Sequence, residues 1–515
     1  MSKSGYKSFS WDFFTLLFVA VYSTLSFARW PLQPQFIDIY YHLHTAWGFL
    51  QAGGYSSWDF WQYAPFGRVH IYPPFLHIVL AFFIKLGVDI VFLAKISEAL
   101  TPSLFLFTVW YFVRRHFGRR LGFFSVFAFG SSFSFFLSLF NNIPATFAII
   151  LGILAADCLL RGRLLRCALL LALSYYTHIG APWVFALAII IFGLLEKGKA
   201  KVSFAVVLCA IIIALPVLLR ELLALKSIQL TDMPDRYFCE FKVLDYILAL
   251  LGVIIAVKKK GKYYLFVSLF LASFIFLLYP YRFFSAQGFL PIIFFSAILL
   301  DSLYEKLATT AVKMSAFFIF FGFFILLFSP TLLTERAQGH ESAKLYLFDS
   351  VLHDMLLPLE NRRIASTSLW NPDEYIRTSA LIKKYSRPND IIYANYHILS
   401  ACLATLSGRA NASALFPEID PVKHFSPFRV ARIIVLTKDN SPAAINYVVA
   451  KYKLRFLGEN RLLIIFSNPL AKAEFIVPKP CVPFWVIGMI LLIFAAVFIL
   501  EDKIMPHNLI KKYLT

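Results

Sequence analysis

Long apolar stretches alternate with short basic segments along most of the chain. A helix that crosses a bilayer needs roughly 20 apolar residues, and on that basis the pattern predicts about 12 spans. The apolar stretch 73–88 differs from the others because it carries His77 and Lys85. The predicted spans lie near 12–29, 91–113, 121–139, 143–160, 164–179, 181–195, 202–219, 243–257, 263–279, 288–304, 314–333 and 482–500.

The basic segments decide how the stretch 73–88 is interpreted. If the stretch 73–88 does not cross the membrane, four basic segments of the chain lie on the same side as the N-terminus and the terminal IKKYLT. Because cytoplasmic loops carry an excess of Lys and Arg, the sequence predicts a re-entrant or outer-leaflet segment at this position. The four segments are RRHFGRR (114–120), RGRLLR (161–166), EKGKAK (196–201) and KKKGK (258–262).

The amino-acid composition is that of a membrane protein. The 515 residues are 59% hydrophobic and 15% charged, with a mean hydropathy of +0.71, which is far from the composition of soluble domains. The net charge of +20 comes from short runs beside apolar stretches, a pattern typical of loops that face anionic lipid, and predicts no nucleic-acid partner. We expect a transmembrane domain 1–333 with a large outer loop 30–90, an extracytoplasmic α/β domain 334–480, and a final helix with a cytoplasmic tail, 481–515.

The region 334–480 has the pattern of a small α/β domain. Helical periodicity alternates there with short runs of β-branched residues, and turn residues separate the two. The fold class is therefore predicted to be a polytopic α-helical membrane protein with this domain before the last transmembrane helix. Predicted helices cover 372–386, 396–407 (ending at Gly408) and 441 to about 452, and predicted strands cover 390–395, 432–437 and 461–467.

The segment FIDIYYHLHTAWGF (36–49) places ionisable groups at helical spacing after the first apolar stretch. Asp38 and His42 are four residues apart and share a face of the predicted helix, with His44 close by. A carboxylate held just above the membrane is a candidate general base. The alternative interpretation is that Asp38 caps the helix.

The next segment, WDFWQYAPFGRVHIYPPFLH (58–77), adds Asp59, Arg68 and His70. Arginine binds phosphate oxygens in a bidentate manner, and histidine can donate a hydrogen bond. The alternative for Arg68 is a side chain that extends to the lipid headgroups. Lys95 and Glu98 follow near the outer end of the next helix, where they either pair with each other or take part in a site.

Further polar residues fall at predicted outer ends of helices. Each alone is explained by ordinary packing, but together they bring bases and arginines from separate loops to one side of the membrane. A carboxylate that activates a hydroxyl, combined with cations that stabilise a leaving phosphate, can transfer a sugar from a lipid phosphate. These additional candidates for a substrate pocket are Asn141, Asn142, His178, Tyr281 and Arg282.

In these features the chain resembles the GT-C superfamily of integral-membrane glycosyltransferases. The resemblance covers most of the chain but consists of loose patterns. The segments that carry it are IDIYYHLHTAW, the YPP at 72–74, AKISEALTPSLFLFTVWYFVRRHFGRRLGFFSVFAFGSS, NNIPATFAIILGILAADCLLRGR, THIGAPW, YRFFSAQGFLPIIFF and, in the outer domain, PDEYIRTSALIKKY with DIIYANYHILSACLATLSGR.

The resemblance implies a GT-C-like fold in which Asp38 is the catalytic carboxylate. The donor is then a polyprenyl (dolichyl) phosphate sugar, the sugar is hexosyl or mannosyl, and the anomeric carbon is inverted. Arg68, His70 and Arg282 become donor-phosphate ligands, with Lys95 as a further one. His42, His44, Asp59 and Glu98 become residues of the substrate pocket.

Two departures from the family pattern bear on substrate and cofactor. Many members have an acidic residue where this chain has Asn141 and Asn142, so no metal is assigned and no cofactor is required, although Mg²⁺ or Mn²⁺ is allowed. The segment LWNPDEY (369–375) is a poor match to the WWDYG of oligosaccharyltransferases. Transfer of a single sugar to a glycan, lipid or protein acceptor is therefore expected rather than transfer of a whole oligosaccharide to protein.

Two other classes of function compete with this interpretation. A transporter or flippase for a lipid-linked or amphipathic solute would explain the many spans. Charged groups in mid-membrane and internal repeats would favour it, but here the polar groups cluster at one predicted surface and no convincing repeat is found. A non-enzymatic sensor would explain the outer domain but not the loop 30–90. We expect a multi-pass protein of the cell membrane, or of the endoplasmic reticulum in a eukaryote, with its active site on the extracytoplasmic side.

Overall fold

The structure is a computed structural model that describes residues 11–34, 38–132, 143–227, 236–277, 279, 281–307, 311–322, 331–337, 340–347, 372–415, 421, 423–471 and 473–504. The predicted pocket residues Asn141 and Asn142 lie outside the described residues. The backbone of Tyr281 is described, but its side chain is not.

Helices make up the first two thirds of the chain and the last segment. Six helices in the described ranges are long and apolar enough to cross a membrane, and shorter apolar helices lie between them. The count of about 12 spans remains a prediction, and so does the extracytoplasmic location of the α/β region that we call the outer domain. The helices before the outer domain are α1 (Trp11–Ala28), α2 (Asp38–Ala52), α3 (Phe75–Lys85), α4 (Ile90–Phe117), α5 (Arg119–Ser131), α6 (Ile143–Leu160), α7 (Leu164–Tyr175), α8 (Ala181–Leu195), α9 (Ala200–Ala224), α10 (Val243–Lys259), α11 (Tyr264–Ser273), α12 (Leu290–Leu307) and α13 (Ala311–Gly322).

Contacts between helix ends define two opposite faces of this helical part. At one face Asp12 of α1 pairs with Arg114 and Arg119, where α4 ends and α5 begins. The 28 residues of α4 span about 42 Å at 1.5 Å per residue, so the start of α4 lies at the other face. There the side chain of Arg220, near the end of α9, contacts the backbone of Ile71.

Helix α3 is one of the shorter apolar helices. Its 11 residues extend about 16 Å, roughly half of the hydrocarbon thickness. It packs along α2, and the backbone N–H of Phe75 donates to the carbonyl of Tyr176 just after α7. The re-entrant or outer-leaflet position expected for 73–88 remains a prediction, because helices α7 and α11 at predicted spans have similar lengths of 12 and 10 residues.

The outer domain contains the helices and strands that the sequence predicts, within two residues at each end. Gly408 ends α15 in the left-handed conformation at φ 61°, and the Ser441 side chain caps α17 by accepting from the N–H of Ala444 at 3.2 Å. The helices here are α14 (Pro372–Tyr385), α15 (His397–Ser407), α16 (Pro427–Val430) and α17 (Pro442–Tyr452), and α18 (Phe484–Ile504) follows the domain.

Twelve strands are found within the described ranges. The main sheet has the order β10-β11-β9-β7-β8, parallel between β8, β7 and β9 and antiparallel from β9 to β10. A second sheet joins β4 to β5 and β6. The strands are β1 (Gly54–Tyr55), β2 (Trp58–Asp59), β3 (Arg68–Val69), β4 (Arg236–Lys242), β5 (Thr331–Ala337), β6 (His340–Tyr346), β7 (Ile391–Ala394), β8 (Ala410–Asn411), β9 (Ile433–Thr437), β10 (Arg455–Glu459), β11 (Leu463–Ser467) and β12 (Val482–Pro483).

The large first loop and the outer domain share hydrophobic cores. Ile39 and Leu43 of α2 are buried in one cluster with Leu403 of α15, and the Thr405 hydroxyl donates to the carbonyl of Tyr40 at 3.0 Å. Strand β1 pairs with β12 directly before α18. Since burial of such side chains is worth about 1.5–3 kcal/mol each, the outer domain fixes the position of α2.

Candidate active site

Asp38 is the first residue of α2, and His42 lies one turn later on the same face. A carboxylate in the first turn is stabilised by the positive end of the helix dipole. Both interpretations of Asp38, as a helix cap and as a catalytic carboxylate, remain predictions. Asp38 is half-buried, whereas His42 is buried.

Tyr72, in the turn before α3, is surrounded by charged groups from three separate segments. Burial raises the pKa of its hydroxyl, the positive charge of Arg282 opposes that increase, and the negative charges of Asp38 and Glu221 add to it. Its ring contacts the ring of His178 with a centroid distance of 6.2 Å. We call Asp38, Tyr72, His178, Glu221 and Arg282 the Tyr72 cluster.

His178 is fixed as a hydrogen-bond donor within this cluster. Its Nδ1 accepts from the backbone N–H groups of Gly180 and Ala181, each at 3.0 Å, at the start of α8. A nitrogen that accepts two hydrogen bonds carries no proton, so the neutral ring has its proton on Nε2. Burial, with the positive charge of Arg282, holds the pKa of His178 well below its ordinary value, which keeps the ring neutral.

Arg282 reaches the cluster from an irregular segment. Residues Tyr281–Ser285 form one π-helical turn, a conformation often found at functional sites. The guanidinium donates from Nη1 to Oε1 of Gln287 at 3.3 Å and lies over the ring of Tyr279. Asp38 and Arg282 thus act electrostatically on Tyr72, whose ring contacts His178, so that three of the residues that the sequence indicates lie near this tyrosine.

Asp59, Gln62, Arg68 and His70 form a different and fully buried group, which we call the Asp59 network. Arg68 Nε is 3.4 Å from Asp59 Oδ2, and His70 Nδ1 is 2.6 Å from Oδ1. Arg68 is 0% exposed and also donates to the Gln62 side chain. The side chain does not extend to the lipid headgroups. For Arg68 and His70 the role of donor-phosphate ligand remains a prediction, and their observed contacts join the ends of β2 and β3.

His42 connects these two groups. Its Nδ1 is 2.9 Å from Nε2 of His77 on α3, and the ring of His77 lies 5.8 Å from that of His70. The ring of His42 contacts the ring of Tyr72 edge-on, with a centroid distance of 5.2 Å. Burial, together with nearby His70, lowers the pKa of His42 to about 3, so His42 is a neutral support for Tyr72 rather than a source of positive charge.

The remaining predicted residues lie elsewhere. His44 is buried against the outer domain, with Nε2 2.9 Å from the carbonyl of Arg409 and its ring stacked on Trp47. The ammonium of Lys95 lies 5.9 Å from the ring centre of Trp30. Glu98 is buried on α4 and acts electrostatically on Tyr40. Their substrate contacts remain predictions.

Arg220 and Glu221, at the outer end of α9, were missed in the sequence. Arg220 donates from Nη2 to the carbonyls of Ile71 and Tyr72 at 2.9 and 3.1 Å. Its Nε and Nη1, and Oε1 of Glu221, are buried with no hydrogen-bond partner in the described part of the chain. The available signal was a charged pair inside the apolar run LPVLLRELL (215–223), since ionisable residues at membrane depth are often functional.

Arg220 also forms part of the wall of an apolar cavity of about 410 Å³. Helices α3, α7, α9 and α18 contribute the other walls, with residues such as Phe75, Leu173 and Ile490. Such a cavity can accept a hydrocarbon chain, and the guanidinium of Arg220 places a positive charge in the end of its wall next to Tyr72. The Tyr72 cluster lies directly beside that end, because Arg220 binds the Tyr72 backbone.

The described residues do not fit a metal centre. No group of three or more His, Cys, Asp or Glu side chains within the described ranges is arranged to hold a metal ion, and Asn141 and Asn142 lie outside those ranges. The Mg²⁺ or Mn²⁺ that the sequence allows therefore has no ligand set here.

No known family profile matches the sequence, and no curated protein matches it. The fold is nevertheless similar to solved structures. The oligosaccharyltransferase AglB from Archaeoglobus fulgidus, in complex with an inhibitory peptide and a dolichol-phosphate, is 10% identical, with a TM-score of 0.56 over 82% of this chain and 69% of that chain. The same organism's oligosaccharyltransferase with Zn and sulfate is 10% identical, with a TM-score of 0.53 over 87% and 73%.

A bacterial enzyme has the same architecture. ArnT from Cupriavidus metallidurans in the apo state is 12% identical, with a TM-score of 0.53 over 89% of this chain and 98% of that chain. ArnT and the archaeal oligosaccharyltransferase are both GT-C glycosyltransferases, and the predicted resemblance is thereby confirmed. This chain is an integral membrane protein with the fold of the GT-C glycosyltransferases.

Proposed function

We propose that the protein transfers a sugar from a polyprenyl-phosphate donor to a hydroxyl acceptor at the Tyr72 cluster. The observation that carries this proposal is Arg220, which lines an apolar cavity and donates to the backbone of Tyr72, on which Asp38 and Arg282 act electrostatically. A phosphate with a long hydrocarbon chain could place its chain in this apolar cavity and its phosphate beside Arg220. The similar archaeal structure holds a dolichol-phosphate, a molecule of this class.

The chemistry assigns a separate task to each charged side chain. Asp38 accepts the proton of the acceptor hydroxyl as its oxygen forms a bond to the anomeric carbon. The bond from that carbon to the phosphate oxygen breaks, and the lipid phosphate leaves as an anion. Attack opposite the leaving group inverts the anomeric configuration. No second acid is needed, because a phosphate leaves without being protonated.

Arg282, Arg220 and His178 stabilise the leaving phosphate in this proposal. The two arginines supply positive charge, and His178 supplies a neutral N–H from Nε2, fixed by the backbone of α8. Pre-positioned donors of this kind act mainly by stabilising the charge that develops in the transition state. Tyr72 borders both the carboxylate and the arginine and is placed to orient the sugar.

The donor sugar is proposed to be a hexose, and the acceptor a glycan, lipid or protein on the extracytoplasmic face. Membranes that contain the protein would be incubated with radiolabelled polyprenyl-phosphate hexoses and an extract of candidate acceptors. The expected result is loss of label from the lipid with formation of a labelled product and a free lipid phosphate. Equal loss of label with membranes that lack the protein would contradict the proposal.

A transporter or flippase of a lipid-linked solute is the alternative, and the same preparation tests it. In proteoliposomes a flippase would move the intact labelled lipid between leaflets without breaking the bond from sugar to phosphate. Movement without cleavage would exclude the transferase, whereas cleavage that requires an acceptor would exclude the flippase.

A further inference from the structure

A second cluster of charged residues lies at the face opposite the Tyr72 cluster. Tyr111, Arg114, Arg115 and Arg119 line a cleft of about 430 Å³ where α4 ends and α5 begins. None of these residues takes part in the proposed transfer, and α4 separates them from the Tyr72 cluster by its length of about 42 Å. The cleft therefore requires its own explanation.

The cleft carries more positive charge than its acidic neighbours neutralise. Asp12 accepts from Nε of Arg114 at 2.8 Å and from Nε of Arg119 at 3.1 Å. Arg115 lies 3.9 Å from Asp157, but that carboxylate is already bonded to His116 at 2.7 Å. Two of the arginines thus share Asp12, and Arg115 shares Asp157 with His116 and Arg161, which leaves positive charge for an anion.

The guanidinium groups are held in place and remain accessible. Arg114 lies over the ring of Trp110 at 5.2 Å, and Arg115 over the ring of Tyr111 at 5.4 Å. The side chains of Arg114, Arg115 and Arg119 are 40%, 39% and 66% exposed. Arg114 and Arg119 approach Asp12 through Nε, and their partly exposed guanidinium groups can still donate the paired hydrogen bonds that phosphate accepts.

Exposed apolar side chains adjoin the cleft on the membrane side. Phe13 follows Asp12 in α1, and Phe107 lies one turn before Tyr111 in α4. Both rings are largely exposed, at 60% and 45%. Arginines above exposed aromatic and aliphatic side chains match a ligand with an anionic head and acyl chains, which a free phosphate ion does not have.

We infer that this cleft binds the phosphate of an anionic membrane phospholipid, with the acyl chains along Phe13 and Phe107. The site is independent of the proposed sugar transfer and lies at the other leaflet. A simpler role for the arginines would be to stabilise the negative end of the α4 dipole. That role requires no ligand, and the experiment below distinguishes the two.

Native mass spectrometry of the detergent-solubilised protein would measure retained lipid after incubation with phosphatidylglycerol, phosphatidylcholine or inorganic phosphate. We expect preferential retention of phosphatidylglycerol, and a roughly tenfold loss in the double variant Arg115→Gln, Arg119→Gln. The matched control, Lys197→Gln with Lys258→Gln, removes two exposed charges from the same face and should retain the lipid. Equal loss in both double variants, or in neither, would overturn the inference.

A variant that is expected to increase lipid retention controls for misfolding, because a misfolded protein would lose lipid. Asp12→Asn removes the carboxylate that competes with the phosphate for Arg114 and Arg119, so retention of phosphatidylglycerol should increase several-fold. Unchanged or reduced retention would show that the arginines serve only Asp12 and the helix dipole. Competition by inorganic phosphate at the same concentration would show that acyl chains are not recognised, and would refute a lipid site.

Discussion

The Tyr72 cluster and the Asp59 network contain the same kinds of side chain but differ in how completely these are paired. In the Asp59 network both carboxylate oxygens are bonded, one to Arg68 and one to His70, and the group is almost entirely excluded from solvent. In the Tyr72 cluster Asp38 and Arg282 are only partly buried, and Oε1 of Glu221 has no partner among the described residues.

This difference in pairing separates a structural role from a chemical one. A buried ion pair whose carboxylate oxygens are both bonded has little capacity to bind a substrate, and breaking it exposes the fold to a large penalty. This holds for Asp59, although Nε2 of His70 and Nε2 of Gln62 have no partner among the described residues. A cluster with unsatisfied charges beside a cavity retains that capacity, at a cost to stability. Residue type alone cannot make the distinction, since each group has a carboxylate, an arginine and a histidine.

The largest expected effect is at Asp38. Asp38→Asn should lower sugar transfer about 100- to 10,000-fold, because an amide cannot accept the acceptor's proton. Expression and melting temperature should stay near those of the unchanged protein, since Asp38 is half-buried at the start of a helix. Initial rates with the labelled donor would measure this, and full activity in the variant would remove Asp38 from the mechanism.

The next effect is on stability, at Asp59. Asp59→Asn should destabilise the fold by about 3–5 kcal/mol, because it leaves the buried guanidinium of Arg68 without its counter-charge. Activity per folded molecule should change little. Thermal unfolding in detergent would measure the loss, and the double variant Asp59→Leu, Arg68→Met should regain part of it. If Asp59→Asn is as stable as the unchanged protein, the Asp59 network does not have the structural role that distinguishes it from the Tyr72 cluster.

A smaller effect is expected at Arg220. Arg220→Gln should raise the KM for the lipid-phosphate donor roughly tenfold, the value of one or two charged hydrogen bonds, with less change in kcat. Arg220→Lys keeps the charge and should recover part of the affinity. If the KM stays constant and only the melting temperature falls, the arginine is a structural link between α9 and the Tyr72 backbone.

A further effect concerns the pH dependence of stability. Burial lowers the pKa of His42 to about 3 and that of His44 to about 4, whereas both would bind a proton near pH 6.5 in the unfolded chain. The unfolded state therefore binds more protons below pH 6.5. Stability should fall as the pH drops from 6.5 towards 4, by about 1.4 kcal/mol per pH unit for each histidine.

Melting temperatures between pH 7.5 and pH 4.5 would test this dependence. His44→Gln should show a shallower decline than the unchanged protein, because glutamine does not titrate. An identical slope in the variant would show that other groups dominate acid unfolding. Lys438→Gln, an exposed change in the outer domain, serves as the control and should leave the slope as it is.

Much of the fold could be predicted because it depends on local pattern. Apolar length predicts the helices α1, α4 and α9, and periodicity with turn residues predicts α14, β7, α15, β9, α17 and β11 in the outer domain. The short strands β1, β2, β3, β8, β10 and β12 were not predicted, since two to five residues carry little pattern. The sheet of β4, β5 and β6 was also missed, although each of its strands has seven residues. The helix that carries Asp38 was predicted from spacing alone.

The sequence by itself determined that this is a membrane protein, that it resembles the GT-C glycosyltransferases, and that Asp38 and His42 share a helix face. Only the tertiary structure decided which arginines are free to act. Arg68 is neutralised by Asp59 across a hairpin, whereas Arg220 meets Tyr72 from a helix almost 150 residues further along the chain. The physical reason is that the partners of a charged side chain decide whether it stabilises the fold or can interact with a substrate. Long-range packing, rather than the neighbouring residues in the chain, brings those partners to it.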